Sequence, residues 1–87
     1  MSITRSEFDK AINEEIATRN GEWFFDNDKI EKVWEIIQKR SSIITSDNFK
    51  YIVRDVAEDV FILGAFEEVA DKEDMDELWN EISTKGI

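Results

Sequence analysis

Apolar residues recur at every third or fourth position along this chain, and this spacing limits the possible folds more than any other feature. The longest run covers about four helical turns in the second half of the sequence. It consists of Phe49, Ile52, Val53, Val56, Ala57, Val60, Phe61 and Gly64. The chain has no proline and only three glycines that would interrupt helices. We therefore predict an all-α fold, a small single-domain bundle of about four helices over residues 1–87.

Capping sequences mark the starts of the first two predicted helices. Thr4-Arg5-Ser6-Glu7 is a capping box, in which the Thr and Glu side chains satisfy free backbone N–H groups. The first helix is expected to end at Asn20-Gly21. The second is expected to be capped within Asp26–Asp28 and to end near Arg40. The residues predicted to face the core from these two helices are Phe8, Ala11, Ile12, Ile16, Ile30, Val33, Trp34 and Ile37.

The third and fourth helices have similar start signals. Thr45 is the predicted cap of the third helix. Gly64 either ends that helix or lets another helix pack closely, and the apolar spacing continues through Phe66 and Val69 to about Ala70. Asp71 is the predicted cap of the fourth helix. The residues expected to face inward from the fourth helix are Met75, Leu78, Trp79 and Ile82.

The net charge of −10 is concentrated in the last third of the chain. Residues 1–54 carry ten acids and nine bases, whereas residues 55–87 carry eleven acids against Lys72 and Lys85. Negative charge concentrated in one part of a protein creates an electrostatic field that attracts basic surfaces and repels nucleic acids and anionic membranes. We therefore expect a basic protein partner, with no direct binding to nucleic acid or membrane.

The acids of the last third fall on the outward positions of the two predicted C-terminal helices. Carboxylates three or four residues apart on a helix lie about 5–6 Å apart, close to the spacing of phosphates along a nucleic-acid strand. Unlike the second helix, these helices carry few lysines among the acids. The acids predicted to contact a partner are Asp55, Glu58, Asp59, Glu73, Asp74, Asp76, Glu77 and Glu81.

The aromatic run Trp23-Phe24-Phe25 lies in the connector between the first two helices. Three consecutive aromatic residues cannot all point in one direction, and aromatic anchors ringed by charge are typical of binding hot spots. Trp23 and Phe24 are therefore predicted to contact the partner, unless the connector covers the end of the core instead. Tyr51 and Ile62 lie off the main apolar stripe and face either a partner or the first helix.

Several kinds of chemistry are excluded by composition. The chain has neither histidine nor cysteine, so it lacks the usual ligands of zinc and the usual bases and nucleophiles of catalytic triads. It contains no glycine-rich phosphate loop and no apolar run of membrane-spanning length. We expect a protein without enzyme activity, cofactor or metal. The cysteine-free composition favours the cytoplasm.

Part of the chain is similar in its helix–loop–helix cadence to EF-hand proteins, in the segments 30–37, 42–45 and 49–52. That family needs oxygen ligands at the first, third and fifth loop positions, a glycine at the sixth and a glutamate at the twelfth. With Ile44 as the central apolar residue, Asn48 occupies the last of these positions. The residues at the first three ligand positions are Ile37, Lys39 and Ser41. The segment is therefore not expected to bind calcium.

The favoured interpretation is a small acidic inhibitor that occupies a basic, nucleic-acid-binding site on a partner protein. Its size, charge and helical character are similar in kind to DNA mimics, to anti-restriction and anti-CRISPR proteins of phages, and to nuclease-immunity proteins. The alternative is a homodimeric helical adaptor or regulator that binds through apolar surface, with the acidity serving solubility. A metal-binding regulator is a third hypothesis.

Overall fold

The structure, a computed structural model, describes residues 3–19 and 26–85. Within these ranges the chain forms four α-helices and one short 3₁₀ helix, and it forms no strand. The elements are α1 (Arg5–Thr18), α2 (Asn27–Lys39), a 3₁₀ turn (Ser41–Ile43), α3 (Phe49–Phe66) and α4 (Lys72–Thr84). The prediction of an all-α bundle of about four helices is confirmed.

The predicted starts of α1 and α2 are confirmed by hydrogen bonds. The Thr4 hydroxyl accepts from the Glu7 backbone N–H at 3.1 Å, and the Glu7 carboxylate accepts from the Thr4 N–H at 3.4 Å. The Asp26 carboxylate accepts from the Lys29 N–H at 2.9 Å. The predicted end of the first helix at Asn20-Gly21 lies outside the described residues.

Thr45 closes the turn before α3 rather than capping the helix directly. Its hydroxyl accepts from the Asn48 N–H at 3.3 Å, while the Asn48 side-chain oxygen accepts from the Thr45 N–H at 2.7 Å. The helix itself begins at Phe49. Asp71 is the N-cap residue of α4, as predicted, although its side chain makes no capping hydrogen bond.

The core forms around α3, which packs against α1, α2 and α4. Four of its five buried residues, Val53, Val56, Ala57 and Val60, belong to the predicted stripe, because the three-four spacing places them on one side of the helix. On the α1 side, the Phe8 ring lies 5.0 Å from the Trp34 ring of α2. The fully buried large side chains are Phe8, Ile12, Val33, Ile36, Ile37, Ile44, Val53, Val56 and Val60.

Arg5 connects α1 to α2 on the surface above this aromatic contact. Its guanidinium lies 5.6 Å from both the Phe8 and the Trp34 ring, and it donates a hydrogen bond to Glu31 at 3.1 Å. This hydrogen bond lowers the pKa of the Glu31 carboxyl. The hydrogen bonds that Arg5 donates to Glu31 and Asp9 raise the pKa of the Arg5 guanidinium. The two helices are thus joined by charge as well as by apolar contact.

Gly64 lies inside α3 and marks a close approach of α2. A Cβ atom at this position would lie 3.2 Å from the Cε atom of Lys29. The Lys29 ammonium binds the Glu67 carboxylate at 2.7 Å and lies 5.5 Å from the Trp79 ring of α4. Of the two roles predicted for Gly64, the structure shows close packing, here against a lysine side chain.

The sequence left the end of α3 open between Gly64 and about Ala70, and the helix ends at Phe66. Phe66 and Val69, which extend the apolar spacing, are 50% and 82% exposed. Phe61 was expected in the buried stripe but is 36% exposed, whereas Leu63 is buried in that part of the helix. Leu63 lies on the side of α3 that packs against α4, next to Ile82.

Candidate interaction surface of α3 and α4

The candidate site is the acidic surface, defined here as the eight acids that the sequence analysis assigned to a partner. They are Asp55, Glu58, Asp59, Glu73, Asp74, Asp76, Glu77 and Glu81. All except Asp59 are exposed, and Asp59 is partly buried. Because α3 and α4 pack against each other, the two groups of carboxylates occupy neighbouring elements of the fold.

The exposure of the α4 acids follows from how little of this helix is buried. Met75 and Ile82 are buried and lie seven residues apart, so they occupy one stripe of the helix. Leu78 and Trp79 pack against the core from the two sides of this stripe. The remaining surface of α4 is formed by five acids together with Lys72, Asn80 and Thr84, which is why its carboxylates face solvent.

Five of the nine described acids before residue 55 form ion pairs with neighbouring bases. Asp9 and Glu31 bind Arg5, Glu15 lies 3.8 Å from Arg19, and Glu35 lies between two lysines. Glu14 lies 4.0 Å from Lys50. Arginines and lysines of the first two helices and of the start of α3 thus compensate the acids of their own region.

The acidic surface lacks this compensation. Within residues 3–19 and 26–85, its single ion pair joins Asp59 to Lys85, with 3.8 Å between the Asp59 Oδ2 and Lys85 Nζ atoms. Glu67, which lies outside the defined set, is also paired, with Lys29. The other seven carboxylates form no ion pair with a base in the described part of the chain.

Asp59 departs from the expectation of a freely exposed acid. Besides pairing with Lys85, it lies close enough to Arg40 to affect that residue electrostatically, as does Asp55. Burial lowers the pKa of Arg40, and these two carboxylates act in the opposite direction. One end of the acidic surface thus also stabilises a cation of the protein itself.

A groove of about 480 Å³ lies between the acids of the two helices. Ile62, Leu63 and Ile82 form its apolar part, and Asp59 and Glu81 line it from opposite helices. Leu63 and Ile82 are nearly buried, whereas Ile62 is 49% exposed. Thr84 and Lys85 complete the lining at the end of α4.

Further apolar side chains are exposed on α3 and just beyond it. Tyr51 is 61% exposed, and the Arg54 guanidinium lies 5.2 Å from its ring. Tyr51, Ile62 and Phe66 are spaced by whole helical turns, so they lie on one side of α3. The two residues that the sequence left open between partner and first helix, Tyr51 and Ile62, are thus largely accessible to solvent. Trp23 and Phe24, the predicted aromatic anchor, lie outside the described residues.

Sequence reasoning missed Arg40 and the groove. Arg40 is only 6% exposed, and its guanidinium donates a hydrogen bond to the backbone carbonyl of Ile82. A basic residue at a helix end is expected to be solvated, and no local pattern indicates its burial. The groove depends on the packing of α3 on α4. The sequence singled out several of its residues one by one, namely Asp59, Ile62, Glu81 and Ile82, but no local pattern indicates that they line one groove.

Comparison with known proteins finds no matching protein family, no matching curated sequence and no matching solved structure. In the described part of the chain, no group of three or more acidic side chains is arranged to hold a metal ion. None of the helices there combines the length and apolar character needed to cross a bilayer. The acidic surface and its groove are therefore the features of the described residues that bear on function.

Proposed function

We propose that this protein is a small acidic inhibitor that occupies a basic, nucleic-acid-binding site on a partner protein. It would act by binding and without catalysis, in the manner of a DNA mimic, an anti-restriction or anti-CRISPR protein, or a nuclease-immunity protein. The observation that carries the proposal is the distribution of ion pairs. Five of the seven acids on the first two helices are paired with nearby bases, whereas seven of the eight acids on α3 and α4 are exposed and form no ion pair within the described residues.

Keeping so many carboxylates unpaired has a cost. Like charges three or four residues apart destabilise a helix by a few tenths of a kcal/mol per pair. Such a cost is offset when the carboxylates meet the lysines and arginines of a partner. Their long-range attraction accelerates encounter, and the contacts that lose water set the lifetime of the complex.

Binding measured against salt tests the proposal. A partner captured from the native host at low salt is expected to bind nucleic acid, and nucleic acid and this protein are expected to compete for it. The association rate should fall steeply as salt rises, because exposed charges are screened. A rate that is independent of salt, or a partner that binds both molecules at once, would contradict the proposal.

Charge neutralisation supplies a matched comparison. The first variant carries D74N, D76N, E77Q and E81Q on α4, and the control carries E14Q, E15Q, E31Q and E35Q. Both change the net charge equally, but the control removes acids that the protein already pairs. Only the α4 variant is expected to lose partner binding. Equal losses would show that overall charge matters and the position of the carboxylates does not.

The second candidate is a homodimeric adaptor or regulator, which is favoured by the exposure of Tyr51 and Ile62. In that case the acidity keeps the protein soluble and the apolar residues form the interface. Light scattering over a range of concentrations distinguishes the two functions. A dimer that dissociates on dilution and persists in the α4 charge variant would favour the adaptor. For either function we propose that the protein acts in the cytoplasm, consistent with its lack of cysteine.

A further inference from the structure

The groove between α3 and α4 combines an apolar surface with charged edges. Leu63 and Ile82 are 7% and 9% exposed and form the floor, while Ile62 is half exposed beside them. The volume of about 480 Å³ accommodates an aliphatic or aromatic side chain. An apolar anchor that enters such a groove contributes affinity that charge alone does not provide.

The charged residues along the groove are acidic on both sides. Asp59 comes from α3 and Glu81 from α4, so a cation placed between the helices meets a carboxylate from each. Lys85 is the one base in the lining, and it is held loosely, since its side chain is 70% exposed. The 3.8 Å between its ammonium and the Asp59 carboxylate exceeds hydrogen-bond distance.

We propose that this groove binds a short basic segment of the partner protein, in which an aliphatic or aromatic residue is flanked by arginines. The apolar residue packs on Ile62, Leu63 and Ile82. The arginines bind Glu81 and Asp59, where one of them displaces Lys85, because a guanidinium binds a carboxylate through two hydrogen bonds. This inference rests on the proposed function and adds the chemistry of the segment that the partner presents.

Charge complementarity identifies a basic segment rather than a second copy of this chain. A second copy carries a net charge of −10 and would bring further carboxylates toward the acidic surface. Like charges that face each other across an interface oppose association. A basic segment instead replaces Lys85 and neutralises the acids on both sides of the groove.

Two synthetic peptides of equal length and equal arginine content test the inference. The first carries a central Leu-Phe pair between arginines, and the second carries Ser-Ser in its place. Titration by fluorescence anisotropy is expected to show at least roughly tenfold tighter binding of the first peptide, the effect of burying one large apolar side chain. Equal affinities would overturn the inference, as would failure of both peptides to bind.

Variants of the groove locate the binding site. I62Q should remove the preference for the Leu-Phe peptide, whereas V69Q changes an apolar residue outside the groove and should leave it intact. E81Q should weaken binding more than D76N, because Glu81 lines the groove. Asp76 lies about 140° away from Glu81 around α4 and does not line it. Circular dichroism and thermal melts verify that each variant folds. An I62Q protein that keeps the full preference would overturn the inference.

The displacement of Lys85 has its own readout. K85Q removes the competing cation and should tighten binding of the Leu-Phe peptide severalfold. K72Q makes the same change in net charge at the other end of α4 and should have a smaller effect. Equal effects of the two variants would show that no displacement occurs and would overturn this step.

These outcomes separate the groove from the broader proposal. Equal, salt-sensitive binding of both peptides would overturn the groove inference and leave the acidic inhibitor standing. Failure of the inhibitor proposal is detected in a different experiment, through salt-independent binding of the native partner. A dimer of the wild type that I62Q dissociates would identify a second copy as the occupant and would overturn the inference.

Discussion

The guanidinium of Arg40, at the C-cap of α2, donates a hydrogen bond to the backbone carbonyl of Ile82 in the last turn of α4. The last carbonyls of a helix lack the usual partner four residues further along the helix. The Ile82 carbonyl accepts only a long hydrogen bond from the Lys85 backbone N–H, at 3.4 Å, so Arg40 supplies its second donor. It also joins the end of α4 to α2 beside the groove, where Ile82 forms part of the floor. The buried cation thus positions the helix that carries most of the acidic surface.

Replacement of Arg40 by Met is expected to lower the free energy of unfolding by about 1.5–3 kcal/mol, the typical contribution of a hydrogen bond to a charged group. The variant keeps most of the apolar stem but leaves the Ile82 carbonyl with only the long hydrogen bond of 3.4 Å from the Lys85 backbone N–H. Urea denaturation measures the effect. K39M changes the neighbouring exposed lysine and should shift stability by less than about 0.5 kcal/mol. Equal stability of R40M and the wild type would show that the cost of burying the charge offsets the hydrogen bond.

Gly64→Ala is expected to raise the melting temperature, with a gain in stability of about 0.5–1 kcal/mol from the higher helix propensity of alanine. The new methyl group meets the Cε atom of Lys29 at 3.2 Å, and this flexible side chain has to shift by only a few tenths of an ångström. A65G reports helix propensity at the neighbouring exposed position. A lower melting temperature for G64A would show that the Lys29 contacts with Glu67 and Trp79 resist that shift.

The Arg5–Glu31 pair should make a small contribution to stability that depends on pH. Because the Arg5 hydrogen bond lowers the pKa of Glu31 in the folded state, the contribution is present above the ordinary glutamate value of 4.5 and is lost as the pH falls through the folded-state pKa. E31Q should therefore be less stable than the wild type at neutral pH and equal to it at strongly acidic pH. The matched control is E35Q, whose carboxylate makes longer ion pairs of 3.7 and 3.9 Å. The same pH dependence in both variants would contradict a specific role for Arg5.

Glu77→Lys is expected to stabilise the free protein while weakening partner binding. Glu73 and Glu81 lie four residues to either side of Glu77, so the substitution replaces two repulsive pairs by two attractive ones, each worth a few tenths of a kcal/mol. Thermal melts should show the increase at low salt and a smaller one at high salt. E77Q separates the relief of repulsion from the new attraction. Unchanged or lower stability of both variants would show that the α4 carboxylates do not repel one another appreciably.

Local sequence patterns were sufficient to predict the helices and most of the core. The capping box at Thr4 and the cap at Asp26 are confirmed because such hydrogen bonds involve residues only three positions apart. Most of the predicted stripes are buried or half buried for a related reason. The helical repeat alone decides which residues of a segment share a face.

Other features depended on which helix covers which face. Ile36 lies outside the predicted stripe of α2 but is buried, because Trp79 and Ser83 of α4 pack on that side. Phe61 fits the stripe of α3 by spacing and is nevertheless 36% exposed. The helical period decides the order of the side chains around the helix axis. It does not decide how much of the helix circumference the neighbouring helices will bury.

The sequence by itself determined the all-α class, the position of the helices and the concentration of acids on the last two. These properties follow from short-range spacing and from charge counts along the chain. Only the tertiary structure decided the burial of Arg40, the pairing of Asp59 with Lys85 and the groove between α3 and α4. Each of these joins residues that are far apart in the chain, and their contact depends on packing between helices rather than on the pattern within any one of them.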